Sequence, residues 1–188
     1  MGRWDPDARE RLERAALELF AEQGFAATTV PQITGRAGLT TRTFFRYFAD
    51  KREVLFSGEA EMRSQFADVI RGAPSDLSAM DLVQYALEAA AATIFEPRFA
   101  DLRNWRTVVA SDEGLRERAL RKQQLSTETA IVALRERGLD GQTAAVLAGL
   151  ASVLLQSAVG AWVEQAVVEK SLTAYIRESV EQLRSLVA

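Results

Sequence analysis

Between Thr28 and Lys51 the chain carries a cluster of groups suited to reading a polar surface. Thr40, Thr41, Arg42, Thr43 and Arg46 fall on one side of a short segment whose other side is apolar, built from Leu39 and Phe44 with Ile33 just upstream. Hydroxyl and guanidinium groups are the donors and acceptors that meet phosphates and base edges. The sequence also restricts other chemistry. It holds no histidine and no cysteine, which removes disulfides, thiolate or imidazole metal sites and His-based triads. There is no Gly-x-x-x-x-Gly-Lys loop and no Gly-x-Ser-x-Gly elbow. The paired carboxylates Asp112 and Glu113 fall at a helix start, where they favour the helix dipole. An enzyme would be left with Asp, Glu, Ser, Lys or Tyr. The expectation is no catalytic residue, no metal and no cofactor.

The elements that must position these groups are helices. Leu12, Ala15, Ala16, Leu19 and Phe20 form one face of a first helix, with Asp5-Pro6 as its start and Gly24 as a left-handed C-terminal cap. Thr29 reads as the N-cap of a second helix, with Gln32 completing a capping box and Pro31 in the first turn. Gly38 breaks it. A third helix follows Thr40 and ends near Phe48. Two short helices joined by a tight turn at Gly38, with small Ala37 at the closest approach, have the shape of a helix-turn-helix. On spacing alone a plain helical hairpin fits equally well.

Asp50, with Glu53 as box partner, opens a fourth helix carrying Val54, Leu55, Met62, Phe66 and Ile70 and stopping at Gly72-Ala73-Pro74-Ser75. Longer helices follow at about 77–95, 99–110, 112–137, 141–168 and 172–186, with a boundary error of ~2–4 residues. Strand and hairpin signals are nearly absent. The fold expected is all-α: a three-helix helix-turn-helix domain over 1–52, then a connecting helix leading into a helical bundle, over 53–188. With 188 residues, 48% hydrophobic and 26% charged, the chain has the composition of a soluble globular protein. Residues 1–52 carry nine Lys/Arg and seven Asp/Glu; residues 53–188 carry fourteen and nineteen. The first part is thus slightly basic in an acidic chain, which permits a nucleic-acid partner without requiring one. The uncharged stretch 141–163 is long enough to span a bilayer. Its Gln142, Thr143, Ser152, Gln156 and Ser157 suit burial between helices better, so no membrane partner is expected. With no secretory signal at the start, the cytoplasm is the expected location.

The motif then becomes recognisable. Leu19-Phe20-Ala21-Glu22-Gln23-Gly24-Phe25, Thr28 to Ile33, Gly38 to Phe48 and Asp50 to Leu55 together resemble the N-terminal signature of the TetR family of repressors, over about residues 9–57. The resemblance implies that Thr29 holds a phosphate at a helix start. It implies that Thr43, Tyr47 and Lys51 contact the DNA backbone and that Thr41 and Arg42 face base edges in the major groove. Thr40 and Arg46 share that outer face. Phe45 stands where the family often has Tyr and can meet a thymine methyl but not donate to phosphate; Pro31 replaces a frequent Arg. The partner implied is a palindromic double-stranded DNA operator.

The resemblance further implies a homodimer and a small hydrophobic effector bound by the C-terminal bundle. For the dimer, the sequence offers Val153, Leu154, Ser157, Ala161 and Trp162, then Tyr175, Ile176, Val180 and Leu183. The same periodicity fits burial within one bundle. For the effector, the lining residues expected are Tyr85, Phe95, Phe99, Leu102, Trp105, Arg106, Leu125, Ile131, Leu147 and Leu150. Residues 98–122 carry seven Lys/Arg against four acids. The run Arg103-x-x-Arg106, with Arg116, Arg118 and Arg121, is similar to a TetR subgroup that binds acyl-CoA-like ligands. A cationic drug is the rival class and would need a buried carboxylate such as Glu88, Glu96 or Glu128. A helical interaction module that binds no DNA would explain the bundle but not Thr40–Lys51.

Overall fold

The computed structural model describes residues 7–165 and 169–187, and every regular element among them is helical. In chain order these are α1 (Ala8–Gln23), α2 (Val30–Ala37), α3 (Thr41–Tyr47), α4 (Lys51–Leu55), α5 (Glu59–Gly72), α6 (Ala79–Ala90), α7 (Phe99–Ala110), α8 (Glu113–Glu136), α9 (Gly141–Val163) and α10 (Leu172–Val187). The fold is the all-α arrangement expected from the periodicity. The proposed start at Asp5-Pro6 and the last residues of the helix expected over 141–168 lie outside the described residues.

The chain forms two compact units. One comprises residues up to Glu59 together with Arg103–Ala119; the other comprises Ala60–Leu102 and the chain from Leu120 on. The chain thus leaves the second unit within α7 and re-enters it within α8, and 53–59 and 103–119 group with the helix-turn-helix rather than with the bundle.

In the first unit, Leu12, Ala16, Ile33, Phe44 and Leu115 are essentially inaccessible and Phe20 and Phe48 nearly so. They form one apolar cluster with Val54, Leu55, Phe56, Val108 and Val109. The Thr29/Gln32 capping box is present, and at Asp50 the side-chain cap is present while Glu53 reaches back one residue further than a box requires. Gln32 Oε1 accepts from the Thr29 N–H at 2.8 Å. Asp50 Oδ1 accepts from the N–H groups of Arg52 and Glu53, while Glu53 Oε2 accepts from the Ala49 N–H. Gly24 differs from expectation: its φ of 84° is positive, but its ψ of 157° is extended rather than left-handed helical.

The fourth helix also differs. It stops at Leu55, and Gly58 at φ 78° turns the chain before α5 begins. A side chain would be strained at that φ, so glycine fixes the break.

In the second unit, α9 supplies the central wall. Ala144, Leu147, Ala148, Ala151, Leu154, Ala158, Val159, Trp162 and Val163 are buried along it and pack with Leu87, Ala133, Leu172, Ile176 and Val180. By length and composition this helix is apolar enough to cross a membrane; in the fold its apolar stripe faces its own bundle. Arg137 ties α8 to the end of α5 by donating to the carbonyls of Ala73 (2.6 Å) and Pro74 (2.7 Å). The break expected at Glu96-Pro97 is spread over a π-turn, Ala91–Phe95, and a 3-10 turn, Glu96–Arg98.

Candidate nucleic-acid interface

Gly38 sets the helix-turn-helix corner. It adopts the left-handed conformation (φ 64°, ψ 35°), and the following Leu39 N–H closes back onto Thr34 O at 2.8 Å. Arg11 Nη2 donates to Ala37 O at 2.5 Å and lies 3.2 Å from where a Cβ on residue 38 would stand. A larger residue here would be strained at this φ, and the Arg11 side chain would have to give by a few tenths of an ångström. Arg36 pairs with Glu22 at 2.7 Å and Glu18 at 3.4 Å, joining α2 to α1. These bonds hold the Arg36 guanidinium above its usual range and the Glu22 carboxyl below its own.

With the corner fixed, α3 divides cleanly. Phe44 is fully buried, while Thr40, Thr41, Arg42, Phe45 and Arg46 are exposed and Thr43 and Tyr47 half-buried. Thr40 caps the helix: its Oγ accepts from the Thr43 N–H at 3.1 Å, and the two hydroxyls lie 3.0 Å apart. Phe45 is 58% exposed, its ring edge-on to Phe44. Arg46 Nη2 donates to Tyr47 Oη at 2.8 Å, with the guanidinium 4.7 Å from the ring centroid. Because Tyr47 Oη accepts there, its own hydrogen is left to donate, and a charged donor behind it strengthens that donation.

Two expected backbone contacts are committed elsewhere. The Thr29 hydroxyl lies 3.0 Å from Gln32 Oε1, an oxygen that Gln23 Nε2 also approaches, at 3.2 Å. Lys51 Nζ donates to the carbonyls of Phe25 (2.7 Å), Thr28 (2.9 Å) and Ala26 (3.3 Å) and lies 4.4 Å from the Phe25 ring centroid. An ammonium has three N–H donors, and here all three have acceptors on the α1–α2 loop. Sequence reading missed this clamp, together with Arg11, Gln23 and Arg36. Their partners are backbone carbonyls or residues up to 26 positions away, and no local pattern encodes such a pair.

The expected effector residues fall in both units. Leu147 is buried in the second unit's core, with Phe95, Phe99, Leu102 and Ile131 packed against it. Leu150 is half-buried, and Tyr85 and Leu125 are 42% and 38% exposed. Trp105 belongs to the first unit, where its Nε1–H donates to Leu55 O. Arg106 is exposed in that same unit, as are Arg103, Arg116 and Arg118. The carboxylates needed by a cationic ligand are engaged. Glu88 pairs with Arg177 at 2.7 Å, which holds its carboxyl below the usual range. Glu96 Oε1 accepts from both the N–H and the hydroxyl of Thr173, and Glu128 accepts from Gln124.

The expected dimer residues also divide. Leu154, Trp162, Ile176 and Val180 are enclosed by their own chain. Val153, Ser157 and Ala161 are exposed, and Tyr175 and Leu183 half-buried.

Residues 13–57 match the family described as bacterial regulatory proteins, tetR family. The HTH-type transcriptional regulator TcmR of Streptomyces glaucescens is 36% identical over 81 residues, covering 43% of this chain and 36% of TcmR; the match thus spans about a third of that relative. Solved structures share the fold over nearly the whole chain. One is a TetR-family transcriptional regulator from Mesorhizobium loti, 16% identical with a TM-score of 0.64 over 98% of both chains. Another is the fatty acid degradation regulator FadR from Bacillus halodurans, 20% identical with a TM-score of 0.64 over 97% of this chain and 96% of FadR. The corner at Gly38, the buried Phe44 and the outward polar face of α3 all lie within the segment, residues 13–57, that matches the tetR family of bacterial regulatory proteins.

Proposed function

We propose that the protein is a cytoplasmic, dimeric, effector-responsive repressor whose α3 enters the major groove of a palindromic operator. The observation that carries this is the division of α3. Thr41, Arg42, Phe45 and Arg46 face outward from a helix anchored by the buried Phe44. Arg42 is the group suited to a guanine O6/N7 pair, worth ~1–3 kcal/mol of discrimination. Tyr47 and Thr43 are suited to phosphates, and Phe45 to a thymine methyl. Two copies of α3 would meet successive major grooves about 34–36 Å apart.

The dimer would form through the outer face of α9, where Val146, Val153, Ser157 and Ala161 are exposed. The effector would bind in the second unit and favour a state with different operator affinity. Effector and operator then oppose each other with equal coupling free energy. A small hydrophobic effector fits the apolar core, while a cationic drug would find Glu88, Glu96 and Glu128 already paired.

The test is a titration of the DNA upstream of the protein's own gene at two salt concentrations against a scrambled competitor. Tight, salt-sensitive and competitor-resistant binding is the expected result. Binding equal to that of the scramble at both salts would count against an operator in that region.

A further inference from the structure

We propose that the indole N–H of Trp162 is the polar anchor of the effector site, and that the effector is a neutral, largely apolar molecule presenting one acceptor oxygen to it. The inference rests on the effector-responsive reading above and names the chemistry of that site.

Trp162 lies near the C-terminal end of α9 and is 1% exposed, and its Nε1 is buried without a hydrogen-bond partner. Buried N–H groups are overwhelmingly paired, so an orphaned one in a well-packed core calls for an explanation. Trp105 shows the ordinary outcome in the same chain, with its N–H on a backbone carbonyl at 2.8 Å. The neighbour of Trp162 is the Phe99 ring, 4.7 Å away between centroids and inclined at 71°, which offers no oxygen or nitrogen. Apart from Trp162 itself, the buried side chains of the core cluster carry no oxygen or nitrogen either. The fully buried polar residues among those described are Thr28 and Thr34, both in the first unit.

The same surroundings set the ligand's charge. An ionised group would enter a core whose buried side chains are all uncharged, at a prohibitive desolvation cost. Glu88 and Glu96, the half-buried carboxylates of this segment, are held by Arg177 and Thr173. A neutral molecule with a single carbonyl or ether oxygen satisfies both conditions. It supplies the missing acceptor and otherwise makes apolar contact.

Access is built into the backbone. Phe99 is the first residue of α7 and is preceded by the π-turn and the 3-10 turn. In the π-turn the Glu96 N–H reaches Ala91 O, five residues back. Such wide turns recur at functional sites. Phe99 is half-buried, so a ring swinging outward from this irregular segment would uncover the indole, and a ligand would take the place of the ring against Trp162.

The experiment uses the full chain and a matched pair of probes. Benzophenone carries a carbonyl; diphenylmethane has the same two rings and no acceptor. Binding is measured by calorimetry to the wild type and to Trp162→Phe. The wild type is expected to bind benzophenone at least about tenfold more tightly than diphenylmethane, because a site built around a donor rejects an analogue lacking the acceptor. Trp162→Phe is expected to bind both with equal affinity. Equal binding by the wild type, a preference retained in Trp162→Phe, or no binding of either probe would each overturn the assignment. Should Trp162→Phe fail to fold, the wild type decides alone. Its ¹⁵N-labelled indole spectrum, assigned through Trp4→Phe and Trp105→Phe, should show the Trp162 N–H moving downfield with benzophenone, and an unmoved signal overturns the proposal. Operator titration separates the two readings. Operator binding without probe preference removes the effector assignment alone, whereas absent operator binding counts against an operator in the tested region whatever the probes do.

Discussion

The indole N–H of Trp105 donates to the carbonyl oxygen of Leu55 at 2.8 Å. Leu55 is the last residue of α4, where helix carbonyls have no partner within the helix. Trp105 therefore caps that end from α7, while its ring meets Phe56 edge-on at 5.9 Å and the Arg118 guanidinium lies 5.1 Å from the same Phe56 ring. The α7–α8 corner thus closes on the helix that follows α3.

Trp105→Phe keeps an aromatic ring and removes the hydrogen bond. Its expected cost is about 1 kcal/mol, a fall in Tm of ~2–4 °C for a chain of this size. The loss should be local. Hydrogen exchange should quicken at the Lys51–Leu55 amides and stay unchanged in α9. Unaltered protection of α4 would show that the Leu55 carbonyl does not depend on Trp105.

Lys51 offers a test of how a cation near DNA acts. A direct phosphate contact predicts that its removal lowers the slope of log K against log salt by ~0.9 for each subunit, or ~1.8 for the dimer. The three carbonyl contacts predict something else. Lys51→Gln should loosen the loop that leads into the Thr29 cap, lower Tm by several degrees, and weaken operator binding with the slope unchanged. A slope reduced by about two for the dimer, with Tm preserved, would restore the phosphate role.

Much of this arrangement was legible in the sequence because it is local. The pairs Thr29/Gln32 and Asp50/Glu53 are three residues apart, Gly38 needs a left-handed turn, and Phe44 alternates with polar neighbours at helical spacing. The break at Gly58 was hidden because Val54, Leu55, Met62 and Phe66 keep an apolar pattern across it. Trp105 was misplaced for a related reason: periodicity shows that a side chain is apolar on one face, not which cluster receives it. The same limit applies to α9, where Leu154 and Trp162 point into the bundle and Val153 and Ser157 point out of it. A stripe of small and apolar residues all round the helix gives both faces the same appearance.

The outer face of α9 gives the remaining prediction. Val153 is 64% exposed and Val146, two turns earlier, is 56% exposed. Ser157 and Ala161 continue the same face, and Gly149 and Gly160 keep its profile low, which allows close helix packing. In a two-fold dimer this patch meets its own copy. Val153→Asp would then bury an unpaired carboxylate from each subunit, at about 3–5 kcal/mol for a broken buried charge, and the dimer dissociation constant should rise at least ~100-fold. The folded subunit should tolerate the change, since the side chain is solvent-exposed there. Light scattering after size exclusion should therefore give twice 20.7 kDa for the wild type and 20.7 kDa for the variant, with helical content unchanged. Equal masses for the two proteins would place the interface on another surface.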